Sequence, residues 1–408
     1  MRTGIKIFAS EFEIETKMKE FELNGTPVKM WTNSADPLAF RQIMNLSTLP
    51  FVFHHLAFMP DVHGGMGMPI GGVLATRDVV IPNAVGVDIG CGMCAVKTNR
   101  KVEDIPSEVL RKQIMKGIRE RIPLGMEHNK EAQDESLMPQ GHDLDSLHVC
   151  RNQYASARKQ LGTLGGGNHF IEIQKDEEGW VWIMIHSGSR NLGLKVGEYY
   201  NGVAKMLNAS YYSSVNPDIE MPFLPLRTKE FKEYWNEMQY CVDFAFCNRS
   251  LMMERIKEVI ADAVPGVEFE PMINIAHNYA AWENHFGSDV IVHRKGAVRA
   301  RQGEVGIIPG SQGTKSYIVE GLGCENAFMS SSHGAGRLMS RTEAVRTLSL
   351  EDEKARLESQ GIIHAIRYKS DLEEAAGAYK NIDEVMANQT DLVKIRTALS
   401  PIAVIKGL

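Results

Sequence analysis

The chain has 408 residues, of which 43% are hydrophobic and 24% charged, and its formal net charge is −6. Such a composition is that of an ordinary globular protein, and a mildly acidic chain does not favour broad nucleic-acid binding, so any such site would be a local basic patch. Residues 1–17 contain several acids and lack the apolar core of a signal peptide. Because no run of about 18 apolar residues occurs either, we expect a cytoplasmic protein with no membrane span.

The cysteines are scattered through the chain and lack the density of a secreted disulfide scaffold. They are Cys91, Cys94, Cys150, Cys241, Cys247 and Cys324.

The elements predicted along the chain mix helix and strand without a regular βαβ alternation, which favours an α+β fold. No linker or repeat divides the chain, and glycine-rich motifs recur from residue 61 to residue 336, so we predict a single domain over residues 1–408. In chain order the pattern predicts a strand at 79–81, a polar surface loop at 125–148, strands at 170–174 and 180–186, a largely helical insertion at 205–265, strands at 290–293 and 316–320, and a helical block at 341–358.

Two metal-ligand candidates lie in the segment Gly86-Val87-Asp88-Ile89-Gly90-Cys91-Gly92. The carboxylate of Asp88 and the thiol of Cys91 are three residues apart, and a glycine-rich turn could aim both at one ion. A solvated turn aspartate and a small buried cysteine would give the same pattern. Cys91 and Cys94 also form a CxxC, which leaves zinc or redox chemistry open, although no second CxxC completes a zinc site.

Residues 168–186 (NHFIEIQKDEEGWVWIMIH) indicate two strands around a turn at 176–179. A four-residue turn would pair Lys175 with Trp180, and the same register would place His169 opposite His186. Directly opposed side chains share a face, so the two imidazoles could bind one metal ion or two adjacent ions.

His277 follows the apolar run 273–276 and precedes a segment that we interpret as helix-like. Alone it could equally be a buried core histidine. Together with Asp88, Cys91, His169 and His186 it gives one carboxylate, one thiolate and three imidazoles, enough for one four-coordinate ion or two ions bridged by the thiolate. The softness of these ligands alone favours zinc.

Three further segments could handle phosphate. Residues 331–337 (SSHGAGR) precede a predicted helix, where free N–H groups could bind an anion and His333 could act as an acid or as a nucleophile. Residues 306–316 are glycine-rich but lack the Walker spacing and could equally form a hairpin turn. Residues 294–301 (RKGAVRAR) are the densest basic cluster, and in a strand Arg299 and Arg301 would share a face suited to phosphates or to solvent.

These motifs together resemble the RtcB family of RNA-splicing ligases. The matching strings occur in the family's order from residue 27 to residue 408. They are Pro60-Asp61-Val62-His63, GVDIGCGM (86–93), LGTLGGGNHFIE (161–172), HSGSR (186–190), HNY (277–279), RKGA (294–297), PGSQGTKS (309–316), SHGAGR (332–337) and Lys406-Gly407.

The resemblance implies a single α+β domain with mixed sheets around a deep metal-containing cleft. It implies two Mn²⁺ ions rather than zinc, held by Asp88, Cys91, His169, His186 and His277 with Cys91 bridging. It also implies that His333 attacks the α-phosphorus of GTP to form a histidine–GMP adduct. GMP would then pass to an RNA 3′-phosphate, and a 5′-hydroxyl would attack the resulting 3′-pp-G end and expel GMP. A 2′,3′-cyclic phosphate would first be hydrolysed.

Other residues match positions that bind the guanylate or lie near the reacting phosphates. The guanylate positions are Asn168, Glu172, Ser311, Ser316, His333, Ala335, Gly336 and Lys406, and the arginines are Arg190 and Arg337. The chain departs from the family at Gly166, where Thr is frequent, at Gln312, where Met is frequent, and at Ala276, where a second histidine is frequent. None of these removes a ligand or the nucleophile.

Alternative hypotheses use the same residues. A binuclear metal phosphoesterase could act on RNA ends without guanylylation, and its activity would not need His333. A non-catalytic protein that binds RNA ends would be expected to lack metal ligands, and all five are present. The sequence does not indicate which RNA is the substrate, whether a protein activator is needed, or the oligomeric state.

Overall fold

The computed structural model describes residues 18–407. Residues 1–17, for which we expect no signal peptide, lie outside the described residues. The strands are β1 (Lys19–Leu23), β2 (Thr26–Met30), β3 (Val52–His63), β4 (Ile70–Thr76), β5 (Val79–Val80), β6 (Gly92–Lys101), β7 (Phe170–Lys175), β8 (Trp180–Ser187), β9 (Leu224–Pro225), β10 (Ile273–Ala276), β11 (Asn278–His285), β12 (Ser288–Lys295), β13 (Ala297–Arg299), β14 (Val305–Ile308), β15 (Ser316–Gly321), β16 (Ser330–Ser332) and β17 (Val393–Lys406).

The helices vary from single turns to one very long element. They are α1 (Pro37–Leu46), α2 (Pro82–Val85), α3 (Ser107–Val109), α4 (Met115–Arg121), α5 (His148–Gln160), α6 (Arg190–Ser210), α7 (Lys229–Ala263), α8 (Arg341–Thr347), α9 (Leu350–Glu358) and α10 (Ile382–Ala387). Residues 125–148 contain only two short 3₁₀ turns and the start of α5. No helix within residues 18–407 is long and apolar enough to cross a membrane.

Two sheets organise the domain. One has six strands in the order β1-β2-β3-β4-β12-β11, with β2 and β3 parallel and the other neighbours antiparallel. The other has seven antiparallel strands in the order β10-β6-β8-β7-β17-β15-β14. Mixed helix and sheet without βαβ alternation confirm the predicted α+β class.

Apolar residues cover both faces of the seven-stranded sheet. On one face Ile183 and Ile185 pack in a core with Met252 and Ile256 of α7. On the other, residues of β6, β7 and β8 form a core with residues of β14, β15 and β17. Strands buried on both faces read as nearly continuous apolar runs, as in the segment WVWIMI of β8.

The hairpin β7–β8 forms as predicted, but the predicted register is wrong by one residue. Lys175 pairs with Val181 and Phe170 pairs with His186, so His169 lies just before the strand rather than opposite His186. The cause is Asp176, whose carboxylate accepts hydrogen bonds from the N–H groups of Glu178 and Trp180 at 3.0 and 2.9 Å. This local turn shortens the loop, because Asp176 and Trp180 are themselves joined through the backbone.

The helix-like interpretation of the segment after His277 is wrong, because this segment is the strand β11, which pairs along its whole length with β12. The predicted helical block at 341–358 is confirmed as α8 and α9, and α8 begins at Arg341 with Ser340 as its N-cap. His333 therefore lies in a loop after β16, and the dipole of a helix N-terminus does not act on it.

Candidate metal and nucleotide site

The site lies at one edge of the seven-stranded sheet. Antiparallel strands alternate in direction, so the starts of β6 and β7 meet the ends of β8, β10 and β17 at the same edge. The residues just inside or beyond these ends are Cys91, His169, His186, His277 and Lys406. Side chains separated by more than 300 residues in sequence are brought together in this way.

Five predicted metal donors form one cluster around the thiol of Cys91. Its Sγ lies 3.4 Å from Nε2 of His169 and 3.3 Å from Nε2 of His186. Nε2 of His169 is also 3.6 Å from Oδ2 of Asp88. Two trios have all their donor atoms within 4.8 Å of one another, namely Asp88-Cys91-His169 and Cys91-His186-His277. Cys91 belongs to both, so the arrangement fits two metal ions that share a thiolate.

Backbone carbonyls orient two of the imidazoles. Nδ1 of His169 donates to the Leu164 carbonyl at 3.0 Å, and Nδ1 of His186 donates to the Asn168 carbonyl at 3.2 Å. Both rings therefore present Nε2 to the cluster, which is the usual arrangement of metal-binding histidines. Nδ1 of His277 is buried without a hydrogen-bond partner among the described residues, as expected for a nitrogen whose partner is an ion.

The protonation of the cluster suits metal binding. Burial lowers the pKa of His186 and of His277 well below the ordinary value, and neighbouring histidines lower it further, so both rings are neutral. Burial raises the pKa of the Cys91 thiol, and the Asp88 carboxylate adds to this. A bound divalent ion would replace the thiol proton, because the thiolate is the ligand form.

The glycine of the HSGSR motif allows two ligand loops to touch. A Cβ on Gly188 would lie 2.6 Å from Oδ1 of Asp88 and 3.4 Å from Cβ of Cys91. The first distance is shorter than real Cβ contacts, so a larger residue would push the carboxylate away from the cluster.

His333 stands beside the metal donors and is held by Asp61. Its ring centroid is 4.9 Å from that of His277. Nδ1 of His333 lies 2.6 Å from Oδ2 of Asp61, and the N–H groups of His333 and Gly334 donate to the same oxygen. With Nδ1 engaged, Nε2 is left as the free nitrogen of the ring.

A cavity of about 310 Å³ opens next to His333 between the two sheets. Most of the residues matched to guanylate positions line it: Asn168, Glu172, Ser311, His333, Ala335, Gly336 and Lys406. Arg337 also lines the cavity, as does His186 of the metal cluster. The metal donors and the matched nucleotide positions thus form one continuous site.

Ser316 and Arg190 lie outside this lining. Ser316 is buried behind it, where its hydroxyl accepts from the Gly310 N–H at 3.3 Å and from Gln174 at 3.1 Å, and so supports the β14–β15 loop. The Arg190 guanidinium donates to Thr163 and to the Gly125 carbonyl. Burial lowers the pKa of Arg190, and the charges of Asp88 and Cys91 partly offset this. The guanidinium packs against Gly165 in the glycine-rich loop before His169.

A buried carboxylate that sequence reasoning missed anchors the opposite wall. Glu374 forms ion pairs with Arg337 at 3.2 Å and with Arg341 at 2.7 Å, and it accepts the Tyr379 hydroxyl. All four residues line the cavity. No motif marks Glu374, and only its contacts in space connect it with the site.

At two of the three positions that differ from the family's pattern, Gln312 and Gly166, the structure shows which neighbouring residues a substitution would affect. Gln312 lines the cavity and donates to the Glu374 carbonyl at 2.7 Å. A Cβ on Gly166 would lie 3.3 Å from the Gly407 carbonyl, a tight but not prohibitive contact. Ala276 ends β10 beside Gly92 of β6.

Glu172 and Lys406 are two titratable residues in the same buried wall of the cavity. Burial raises the pKa of Glu172 to about 8, although Gln174 and Lys406 oppose the shift. Burial lowers the pKa of Lys406, while Glu374 and Glu172 oppose that change. At neutral pH this wall therefore holds a largely protonated carboxyl group.

The predicted basic surface at 294–301 is largely wrong. Arg294 is fully buried and pairs with Glu283 at 2.5 Å, and Lys295 is buried with its ammonium on the Met66 and Asn83 carbonyls. β13 ends at Arg299, which pairs with Glu304 at 2.7 Å, so Arg299 and Arg301 do not share a strand face. Cys94 of the CxxC is likewise buried in a hydrophobic core, away from Cys91's ligand cluster.

The fold and site together define an α+β protein with a metal-donor cluster beside a ligand-sized cavity. A family model described as tRNA-splicing ligase RtcB matches residues 42–144 and 140–407. The RNA-splicing ligase RtcB of Escherichia coli strain K12 is 38% identical over 405 residues, covering 94% of this chain and 98% of that protein. The tRNA-splicing ligases RtcB of Nanoarchaeum equitans and Thermococcus kodakarensis are 32% and 30% identical, covering 100% and 90% of this chain and 96% and 90% of their own lengths.

The chain therefore belongs to the RtcB family of RNA-splicing ligases.

Proposed function

We propose that the protein is a GTP-dependent RNA ligase that joins RNA 3′-phosphate or 2′,3′-cyclic phosphate ends to 5′-hydroxyl ends. Two Mn²⁺ ions at the Asp88-Cys91-His169 and Cys91-His186-His277 trios and a histidine–GMP intermediate at His333 are part of this proposal. Family membership supports RNA ligation, and the donor cluster supports a metal requirement.

One observation carries the proposal. His333 lies between the metal donors and the cavity, with Nδ1 held by a buried carboxylate and Nε2 free. The carboxylate partner at Nδ1 fixes the tautomer and stabilises the charge that forms on the ring, as a covalent nucleophile requires. A general base is oriented in the same way, and a nucleophile is favoured here because His333 lines the cavity together with the residues matched to guanylate positions.

The cavity offers chemistry suited to a guanine nucleotide. The carboxyl group of Glu172, once ionised, can accept from the N1–H and the amino group of guanine. Arg337 and Lys406 supply positive charge for phosphate oxygens, and the Ala335 and Gly336 backbone lies beside the nucleophile. Asn168 and Ser311 add polar groups to the same wall.

The first step would form a bond between Nε2 of His333 and the α-phosphorus of GTP and break the bond to the β-phosphate, so that pyrophosphate leaves. Asp61 would balance the positive charge that develops on the ring through its hydrogen bond to Nδ1. Bound divalent ions would supply charge stabilisation at the phosphoryl oxygens.

In the second step an oxygen of the RNA 3′-phosphate attacks the same phosphorus, and His333 leaves. The RNA then ends in 3′-pp-G. In the third step the 5′-hydroxyl attacks the RNA 3′-phosphorus, loses its proton and expels GMP. Arg190 is proposed to hold the phosphates of the RNA ends during this exchange. A cyclic phosphate enters after hydrolysis to the 3′-phosphate.

RNA with these ends and GTP are the proposed partners. All six cysteines are unpaired, which supports the cytoplasm as the compartment.

The test is incubation with GTP labelled at the α-phosphate and Mn²⁺, followed by denaturing electrophoresis. We expect an acid-labile, alkali-stable label on the unmodified protein and none on His333→Ala. His142→Ala is a matched control, because His142 pairs with Asp243 outside the site and should keep the label. A folded, metal-loaded protein that takes no label but hydrolyses RNA end phosphates would instead be a binuclear metal phosphoesterase.

A further inference from the structure

The long helix α7 carries two adjacent polar residues whose side chains are fully buried. Asn248 and Arg249 lie near its middle, and both are 0% exposed. Neither is a metal donor, and neither lines the cavity. A buried guanidinium is costly to desolvate, so the partners of its Nε and NH1 are informative, while its NH2 has no hydrogen-bond partner among the described residues.

Arg249 connects three segments that carry metal donors. Its NH1 donates to the Gly90 carbonyl and to the Ser187 carbonyl, both at 2.9 Å. Its Nε donates to Oδ1 of Asn274 at 2.7 Å. Gly90 precedes Cys91, Ser187 follows His186, and Asn274 is three residues before His277. The rigid fork of one guanidinium therefore spans the whole Cys91-His186-His277 trio from behind.

Asn248 connects a fourth segment, at Gly162 and Thr163, to the three segments that Arg249 joins. Its Nδ2 donates to the Thr163 carbonyl at 3.2 Å and the Gly188 carbonyl at 3.0 Å, and its Oδ1 accepts from the N–H groups of Gly162 and Thr163. The Ser187 hydroxyl, which Asn248 also contacts, donates to the Leu164 carbonyl at 2.8 Å. That carbonyl is the one that accepts from Nδ1 of His169.

Helix α7 also packs closely against the ligand loop about two turns earlier. A Cβ on Gly90 would lie 2.9 Å from Cα of Val242 and 3.0 Å from the Cys241 carbonyl oxygen. Backbone packing at Gly90 and the side chains of Asn248 and Arg249 thus join the helix to the ligand loops at separate points.

We propose that Arg249, supported by Asn248, is a positioning residue that sets the spacing of Cys91, His186 and His277 and so the metal affinity of the trio that shares the thiolate. It acts through two backbone carbonyls and the side chain of Asn274, and it is not itself a metal donor or part of the cavity lining. The inference rests on the proposed metal centre, and its test measures metal binding rather than ligation.

Arg249→Lys is the informative variant. Lysine keeps the charge and the length but has a single nitrogen, which cannot serve acceptors that Nε and NH1 now reach separately. Arg255→Lys is the matched control on the same helix. Arg255 donates hydrogen bonds to Gly162 and Gln133, and neither residue is next to a proposed metal ligand in the sequence. Metal-free samples of both are titrated with Co²⁺, whose thiolate charge-transfer and visible bands report ligation by Cys91 and coordination number.

We expect Arg249→Lys to bind the ion of this trio about 10- to 100-fold more weakly, with altered visible bands, as for other partners behind metal ligands. Arg255→Lys should match the unmodified protein. The melting temperatures of the metal-free proteins show whether a loss of Co²⁺ affinity comes from misplaced metal ligands or from a less stable fold. A lower melting temperature with unchanged Co²⁺ affinity and spectrum would overturn the proposal.

Asn274→Ala provides an independent measurement if the buried lysine prevents folding. It removes the third acceptor of Arg249 from the partly buried strand β10, together with two longer hydrogen bonds at 3.4 Å from the Asn274 amide to Phe246 and Ser250. A smaller loss of Co²⁺ affinity is expected. Unchanged affinity in Asn274→Ala would contradict the proposal. If the unmodified protein binds no Co²⁺ through Cys91, the proposed metal centre itself fails, which is a different result.

Discussion

Oδ2 of Asp61 accepts three hydrogen bonds from the segment that carries His333, one from the ring at 2.6 Å and two from backbone N–H groups at 3.1 and 3.3 Å. Asp61 is fully buried in β3. Burial alone would raise its pKa, but the charge and hydrogen bond of His333 hold that pKa below the usual range. The six-stranded sheet thus orients the proposed nucleophile, while the seven-stranded sheet carries the metal donors.

Asp61→Asn is expected to slow guanylylation of His333 by about 100-fold or more, because a neutral amide neither fixes the same tautomer nor balances the charge formed on attack. The rate of label incorporation from α-labelled GTP at saturating Mn²⁺ measures this. Asp176→Asn is the control, since Asp176 is also buried and hydrogen-bonded but lies in the β7–β8 turn. Equal labelling rates in Asp61→Asn and the unmodified protein would exclude a role for Asp61 in orienting His333.

Cys91→Ser is expected to lower Mn²⁺ affinity at both trios, by about 100-fold or more, since both lose their shared donor. Calorimetric titration of metal-free protein measures the affinity and the number of ions. Cys94→Ser is the matched control three residues away. It places a hydroxyl in an apolar core at a cost of about 1–3 kcal/mol of unfolding free energy and should leave metal binding unchanged. Two ions bound to Cys91→Ser with unaltered affinity would disprove the shared-thiolate arrangement.

The raised pKa of Glu172 predicts a pH dependence of stability in the nucleotide-free protein. Between the unfolded value near 4.5 and the folded value of about 8, the folded state binds the proton that the unfolded state has released. Stability contributed by this group is therefore fully present below about pH 4.5 and declines as pH rises towards 8, by at most about 1.4 kcal/mol per pH unit.

Glu172→Gln should remove that decline, because glutamine does not ionise. Urea unfolding of both proteins at several pH values between 5 and 9 measures the difference in slope. Parallel curves for the two proteins would show that Glu172 is already ionised when the cavity is empty.

Gly407 closes the site against the glycine-rich loop before His169. A Cβ there would clash with the Gly165 carbonyl oxygen and lie 2.6 Å from the Gly125 nitrogen. Gly407→Ala is therefore expected to lower the unfolding free energy by about 1–3 kcal/mol through overpacking and to weaken GTP binding next to Lys406.

Gly202→Ala is the opposite control. Gly202 lies within α6, and a Cβ there would meet no atom within 4 Å. That substitution should raise the unfolding free energy by up to about 1 kcal/mol, the helix preference of alanine over glycine. Thermal unfolding and equilibrium binding of a fluorescent GTP analogue measure both variants, and a neutral Gly407→Ala would show that the contact can open freely.

The local sequence pattern was sufficient to predict where several strands lie, but it did not predict their pairing register. Alternating and continuous apolar runs predicted the strands at 170–174, 180–186, 290–293 and 316–320, because burial leaves a direct mark on sequence. The register of β7 and β8 was missed because it depends on one hydrogen-bonded turn at Asp176 rather than on loop length. The strand after His277 was missed because β11 is stabilised by its pairing with β12. The local sequence of β11 carries no signal of that pairing.

Long-range contacts account for the remaining differences. Residues 294–301 read as a basic surface, yet Arg294 is internal because Glu283 pairs with it in the neighbouring strand. Asp61 lies in a motif that marks the family, but its contact with His333 spans 272 residues and follows only from the fold. Glu374 belongs to no motif at all.

The position of β17 has a consequence for the order in which the protein becomes functional. Every metal donor lies between residues 88 and 277, whereas β17 (Val393–Lys406) must insert between β7 and β15 before Glu172, Ser311 and Lys406 share one wall. A folding intermediate in which β17 is still detached would thus retain metal ligands but hold no nucleotide. Metal binding at the proposed centre would then precede the slower long-range pairing that completes the cavity. Partly folded molecules would hold ions before the proposed nucleotide site exists.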